Sequence, residues 1–554
     1  MNLGQVLSEA KGLLLMLAIV LILGFSFDWY RKYKFNKVMG EKARDDFGKR
    51  KFRNRNLKII SFFEDKKSPV DSITWNDMEM DKVFNCIDRS YSHMGSIALY
   101  NKLHSNTHSP EDDKIIDELL SNEDKCTYLG LEFLKLQSIK DVSYLETIKE
   151  GVELLSWQKF KPLVYFMAFT PLYIVILFYF FKLKALIPVG ILTYLGYFLS
   201  VHMEKATLGR SKTFGYLRSV LEVSKAIIKS DLDLGEFQKN LRDKSQNVNR
   251  FLKRLRRNYA KTGSDSDFLY STINILCQYE SVVFFRAVKF VNDNLKDLQD
   301  IYMLSAQCDM YIGLASLKKE MGEEITKANY GENISAVDLH NPILFFKGTS
   351  VGSTFKFENS VLLTGSNASG KSTFLRTLGI SQIMAMSLGF VIGKEFTTHR
   401  TDLITAVDIS DSIEEGASYF VRETMAIKRM LEKKGCIFLL DEVFKGTNTV
   451  DRISAARALL KYLSKDNFVM AATHDIELTY LLEKEFSNYH FEEQIVDGDI
   501  EFDFLIKEGP AVTRNAVAIL ELFGYPKEIT EEAKDFSREL SSEKENILPK
   551  IKYF

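Results

Sequence analysis

Ten residues, Thr364 to Thr373, reading TGSNASGKST, constrain this chain more than any other stretch. Gly365, Gly370, Lys371 and Ser372 fit the spacing G-x-x-x-x-G-K-[ST]. In that pattern the glycines let backbone N–H groups close around phosphates, the lysine reaches the β- and γ-phosphates, and the hydroxyl holds magnesium. Thr373, next in line, is a further candidate nucleotide contact. Such a loop needs a strand before it and a helix after it. The apolar run SVLL and the helix-like FLRTLGISQIMAMSLG supply both, which an ordinary Gly-rich turn has no need of. The expectation is an α/β P-loop domain with ATP and Mg2+ as cofactors.

Two later apolar runs fit the same sheet. CIFLLDE ends in Asp441 and Glu442, and NFVMAATHD ends near Thr473 and His474. Parallel strands present ligands beyond their carboxyl ends, so these side chains can converge on the nucleotide. Asp441, with Ser372, is a candidate for the magnesium shell, Glu442 for orienting or deprotonating the attacking water, and His474 for sensing the γ-phosphate. A DE pair or a histidine alone is commonplace in a solvated turn; the order and spacing carry the reading.

Composition bounds the rest. The 554 residues suggest about three or four domains, and a 46% hydrophobic fraction supplies folded cores. A formal net charge of -1 argues against a wholesale nucleic-acid binder, so any basic surface is local. Cys86, Cys126, Cys277, Cys308 and Cys436 show no C-x-x-C spacing, which disfavours a zinc site or a disulfide framework and suits a reducing cytosol.

Three uncharged apolar runs depart from a soluble pattern. Gly12 to Phe27 precedes Trp29, Tyr30 and a basic cluster of Arg31, Lys32, Lys34 and Lys37; a cleaved signal peptide is the alternative to a membrane anchor. Leu163 to Phe181 and Ala185 to Val201, separated by KLK, read as a membrane hairpin, with a buried core hairpin as the alternative. Lys/Arg placement puts the C-terminal side of the first span in the cytoplasm, and a hairpin leaves and returns there. The expectation is a multi-pass protein of the cell membrane whose large soluble parts face the cytoplasm.

TGSNASGKSTFLR, DSIEEGASYFVRET, LLDEVFKGTNTVDR, AATHDIELT and GPAVTRNAVAILELFGYPKEI together resemble the successive ATPase motifs of the MutS family of DNA mismatch-repair proteins, from about Val337 to Phe536. WNDMEMDKVFNCIDRSYSHMGSIALYNKL resembles, more faintly, the start of that family's helical core domain. The resemblance implies an ABC-class ATPase working as a homodimer with composite sites. It implies that Ser418 reaches the partner subunit's γ-phosphate, that Asn367 contacts phosphate and that His490 lies against the adenine.

The departures shape the expected organisation. An anchor stands where family mismatch readers carry a Phe-x-Glu domain; Phe62 and Glu64 match those letters only, as do Phe491 and Glu493. The mismatch-binding and connector domains are therefore not expected, nor is more than a small clamp. The expected architecture is an N-terminal transmembrane anchor (1–34), a helical core domain (35–160), a transmembrane hairpin (161–203), a second helical core and lever segment (204–335), the ATPase domain (336–540) and a tail (541–554). The fold class is thus an α/β P-loop ATPase domain plus an all-α core and lever domain with three transmembrane helices. RFLKRLRRNYAKTG places Arg250, Lys253, Arg254, Arg256, Arg257 and Lys261 in one helical stretch, a DNA-backbone stripe or a solvated face. The basic stretch 34–56 suits anionic lipid. Two functions compete: a membrane-tethered ATPase acting on DNA, and an ATP-driven membrane process, transport or remodelling, without DNA.

Overall fold

The computed structural model describes residues 26–536 apart from 28, 32, 50–54, 64–67, 137–142, 153–157, 256–273, 367–368, 408–418, 497–498, 512–519 and 522. The chain forms two compact units: Met1–Phe62, Arg89–Ala98 and Lys114–Glu320 make one, and Phe63–Asp88, Leu99–Asp113 and Met321–Phe554 the other.

The first unit is helical. Tyr279–Asp293 is typical, turning Phe284, Val288 and Val291 into the core at the i, i+4, i+7 spacing of an amphipathic helix. Asp309, wholly buried, accepts the backbone N–H groups of Tyr91 and Ser92 at 2.8 Å each and the Ser92 hydroxyl at 2.6 Å. Burial still raises its carboxyl above the ordinary range against those three bonds. A side chain on Gly95 would come within 2.5 Å of this carboxylate, so only glycine fits there.

The described residues bear on two of the three expected spans. Among the described residues one stretch, Thr170–Met203, is long and apolar enough to cross a membrane. Gly12 to Phe27 lies outside the described residues except for its last two. Of the two expected hairpin runs, Leu163–Phe181 overlaps this stretch from Thr170 onward and Ala185–Val201 lies within it, and the KLK between them winds into a 3-10 turn, Lys182–Ala185. The helix axis nevertheless breaks at Lys182, whose φ is +46°. Beyond the break the chain doubles back: the rings of Phe160 and His202 lie 6.4 Å apart, and a side chain on Gly196 would come within 3.5 Å of Met167. Only 6% of the apolar window is buried.

In the second unit the elements that build the site are, in chain order, α1 (Ser72–Asp77), β1 (Ser360–Thr364), α2 (Lys371–Leu388), β2 (Leu403–Ala406), α3 (Tyr419–Lys428), β3 (Ile437–Asp441), α4 (Thr449–Leu463), β4 (Phe468–Ala472), β5 (Phe486–His490) and β6 (Lys507–Glu508). They form a six-stranded sheet in the order β6-β5-β1-β4-β3-β2, parallel except for β6. Its central strands read as continuous apolar runs because helices cover both faces: every residue of β1 and β4 is buried. Phe438, Leu440, Val469 and Ala471 pack there with Ala456 and Leu460 of α4. The short helix α1 docks on β2, where the Asp77 carboxylate accepts the Thr405 hydroxyl at 2.6 Å and the Val407 N–H at 2.9 Å.

Candidate nucleotide-binding site

The loop after β1 closes because two residues adopt backbone that side chains resist. Gly365 has φ +141°, and a Cβ there would sit 2.4 Å from the Phe491 carbonyl oxygen; Gly370 has φ +104° and starts α2. The first turn of α2 therefore presents N–H groups without helical partners, the ready-made setting for phosphate. Lys371 is buried, and its Nζ donates to the carbonyls of Gly365 and Ser366 at 2.8 and 2.6 Å. Burial pulls its pKa down, opposed by Asp441, Glu442 and Glu493. Thr373, two residues along, is exposed on the same turn.

The ends of the strands lie together beside the loop. The Ser372 hydroxyl donates to Asp441 at 2.5 Å, joining the two oxygens expected to share a magnesium shell. Burial raises the Asp441 carboxyl and Glu442 adds to that, against the Ser372 hydrogen bond and the Lys371 charge. Glu442 follows β3 with φ +49° and donates its N–H to Ala472 at 2.9 Å. One carboxylate oxygen lies 2.7 Å from His474 Nε2 and the other 2.5 Å from Lys445 Nζ. Burial alone would raise this carboxyl; the hydrogen bond from Lys445 and the charges of His474 and Lys445 outweigh it and hold it below the ordinary range. These groups line a cleft with Val443, Arg452, Thr473 and Asp475. His490 ends β5 directly beside Thr364 in register, its Nδ1 2.9 Å from the Gly509 carbonyl.

Several neighbours carried no separate signal in the sequence. Lys445 and Arg452 sit inside LLDEVFKGTNTVDR but only the fold pairs them, Lys445 with Glu442 and Arg452 through two bonds, 2.8 and 2.7 Å, with Asp475. Glu493, four residues after Tyr489 near the end of β5, accepts the Ser366 hydroxyl at 2.7 Å. Asn367 and Ser418 lie outside the described residues, as do Arg256, Arg257 and Lys261. Arg250, Lys253 and Arg254 fall on the helix Gly235–Leu255.

Residues 361–541 match the family model for MutS domain V. This supports membership of the MutS family. The chain is similar to the DNA mismatch repair protein MutS of Aquifex pyrophilus, at 30% identity over 259 residues, 44% of this chain and 30% of that protein. It is similar to the protein of the same name from Thermus thermophilus, at 27% over 288 residues, 51% of this chain and 35% of that one. The corresponding protein of Halalkalibacterium halodurans is 27% identical over 361 residues, 62% of this chain and 40% of that protein. The chain thus spans 30 to 40% of the length of these curated MutS relatives.

Proposed function

We propose that this chain is a membrane-anchored MutS-type ATP hydrolase that acts as a homodimer on DNA. The observation that carries the reading is the meeting of Lys371, Ser372, Asp441, Glu442 and His474 at the carboxyl end of one parallel sheet. The residues fit ATP with magnesium: the cradle admits no side chain at Gly365, and Ser372 and Asp441 offer paired hard oxygen ligands. Bound magnesium would neutralise charge building on the transferred phosphoryl group. Lys371 would leave the loop carbonyls for the β- and γ-phosphates, and Glu442 would take a proton from the attacking water, with His474 orienting it.

In the dimer, Ser418 of each subunit would complete the partner's site, with Asn367 on phosphate and His490 beside the adenine. The exposed apolar limbs of Thr170–Met203 support anchoring, since monomeric soluble proteins rarely leave so large a patch uncovered. With the soluble units in the cytoplasm, DNA would meet Arg250, Lys253, Arg254, Arg256 and Arg257. A membrane process without DNA is disfavoured because the apolar runs carry no charged side chain for a polar pathway. The test is ATP turnover in detergent with and without duplex, mismatched, branched and single-stranded DNA. Stimulation by one of them, abolished in Lys371→Ala, is the expected result; turnover indifferent to every form removes DNA from the reading.

A further inference from the structure

The loop that carries Glu442 holds an unusual backbone. Glu442 at φ +49° and Phe444 at φ +62° both sit in the left-handed region that a side chain disfavours, at a cost of order 1–3 kcal/mol each. Strained backbone persists only where its surroundings fix it, and here the fixing groups come from one face of α3. Phe420 and Glu423, three residues apart and so neighbours on the helix surface, both turn toward the loop. The Phe420 ring lies 6.0 Å from that of Phe444. Glu423, 1% exposed, accepts the Lys445 N–H at 3.1 Å. Burial raises its carboxyl above the ordinary range, against the backbone N–H groups of Lys445, Phe444 and Gly446, which favour the charged form.

A buried carboxyl group bonded to a backbone N–H makes a fixed anchor for the segment that N–H belongs to. That segment also carries Lys445, whose ammonium pairs with Glu442. At its other end α3 is tied to the sheet, where Arg429 donates to the Thr405 carbonyl and to Asp71.

We propose that Glu423 is the positioning residue of the hydrolytic loop: from α3, whose first residue follows Ser418 directly, it holds backbone 444–446 and thereby sets where Glu442 stands. The role rests on the ATPase reading above. Glu423 touches no reacting atom and acts through Glu442 alone.

Kinetic and exchange measurements on the full-length protein in detergent test this. In Glu423→Ala, kcat is expected to fall about 10²-fold, the scale of a misplacement near 1 Å, while ATP affinity stays within about 3-fold. Glu423→Gln, which keeps an accepting oxygen, should recover most of that loss. In a Glu442→Gln background, Glu423→Ala should cost nothing further, because the residue it serves is already gone. Parallel loss of affinity and kcat, or full additivity with Glu442→Gln, would overturn the role. Amide exchange supplies a readout independent of turnover: in Glu423→Ala the amide of Lys445 should exchange at least about 10-fold faster while those of β1 and β4 keep their protection. Unchanged exchange at Lys445 overturns the anchor even if the chain hydrolyses ATP. A wild-type chain without turnover defeats the ATPase reading and leaves exchange to decide the anchor.

Discussion

Two regions of this molecule are apolar on every side, and they meet opposite fates. The strands β1 and β4 are buried at all ten positions, because helices on both faces of the sheet remove their side chains from water. The limbs of Thr170–Met203 are as apolar, yet Val175, Tyr179, Ile187 and Tyr194 are each at least 66% exposed. Burial is worth roughly 25 cal/mol per Å² of apolar surface, so leaving such a face in water opposes folding. The comparison teaches that an all-apolar run does not announce its solvent. Protein layers cover one of these regions; for the other we propose lipid.

The largest effect expected from that difference is all or none. Protein in membranes should resist carbonate extraction, and a cysteine at Leu183→Cys, on the 78% exposed turn between the limbs, should react with an impermeant maleimide added outside the cell. Recovery of the intact chain in the aqueous fraction would end the contrast. Next comes stability. Phe438→Ala, at a position with no exposure, should cost about 3–5 kcal/mol by urea titration in detergent. Ile187→Ala, at 75% exposure, should cost under about 0.5 kcal/mol in the same titration. Equal costs would mean that the limb is covered by protein after all.

A third experiment separates the sheet as scaffold from its end as reactive centre. Glu442→Gln should retain ATP binding and lose roughly 10²-fold in kcat, since proton transfer goes while the phosphate contacts stay. Wild-type turnover in that variant would move the chemistry elsewhere. The smallest effect concerns pH. Glu442 faces Lys445, His474, Lys371, Arg452 and Asp441, and its net shift is downward from 4.5. A lowered carboxyl contributes stability in full above its unfolded pKa and loses it as pH falls through the folded one. Lys445→Ala should therefore move the acid limb of the turnover profile upward, by less than about one unit, because Lys445 is 62% exposed and screened by water. A limb that stays in place would show that His474 alone sets this carboxyl.

How much of the site was legible follows from how local each signal is. Gly365, Gly370, Lys371 and Ser372 lie within eight residues, and backbone closure around phosphate dictates their spacing, so they could be read directly. Asp441, Glu442 and His474 could be read because a buried parallel strand has a recognisable apolar body and its end is where ligands meet. The 3-10 turn that joins the two apolar limbs into one stretch was not legible, since KLK fits a loop and a helical turn equally well.

The sequence by itself determined the residues whose role is set by neighbours a few positions away: the glycines with no room for a Cβ, the strand-end carboxylates, and the apolar runs. Only the tertiary structure decided the long-range partners. Asp77 meets Thr405 and Val407 across more than 300 positions, Glu493 meets Ser366 across 127, and Glu423 meets Lys445 across 22. A carboxylate carries the same charge wherever it lies. Whether it becomes a solvated surface group, an anchor for backbone N–H groups or a base depends on which donors the fold brings within about 3 Å of it.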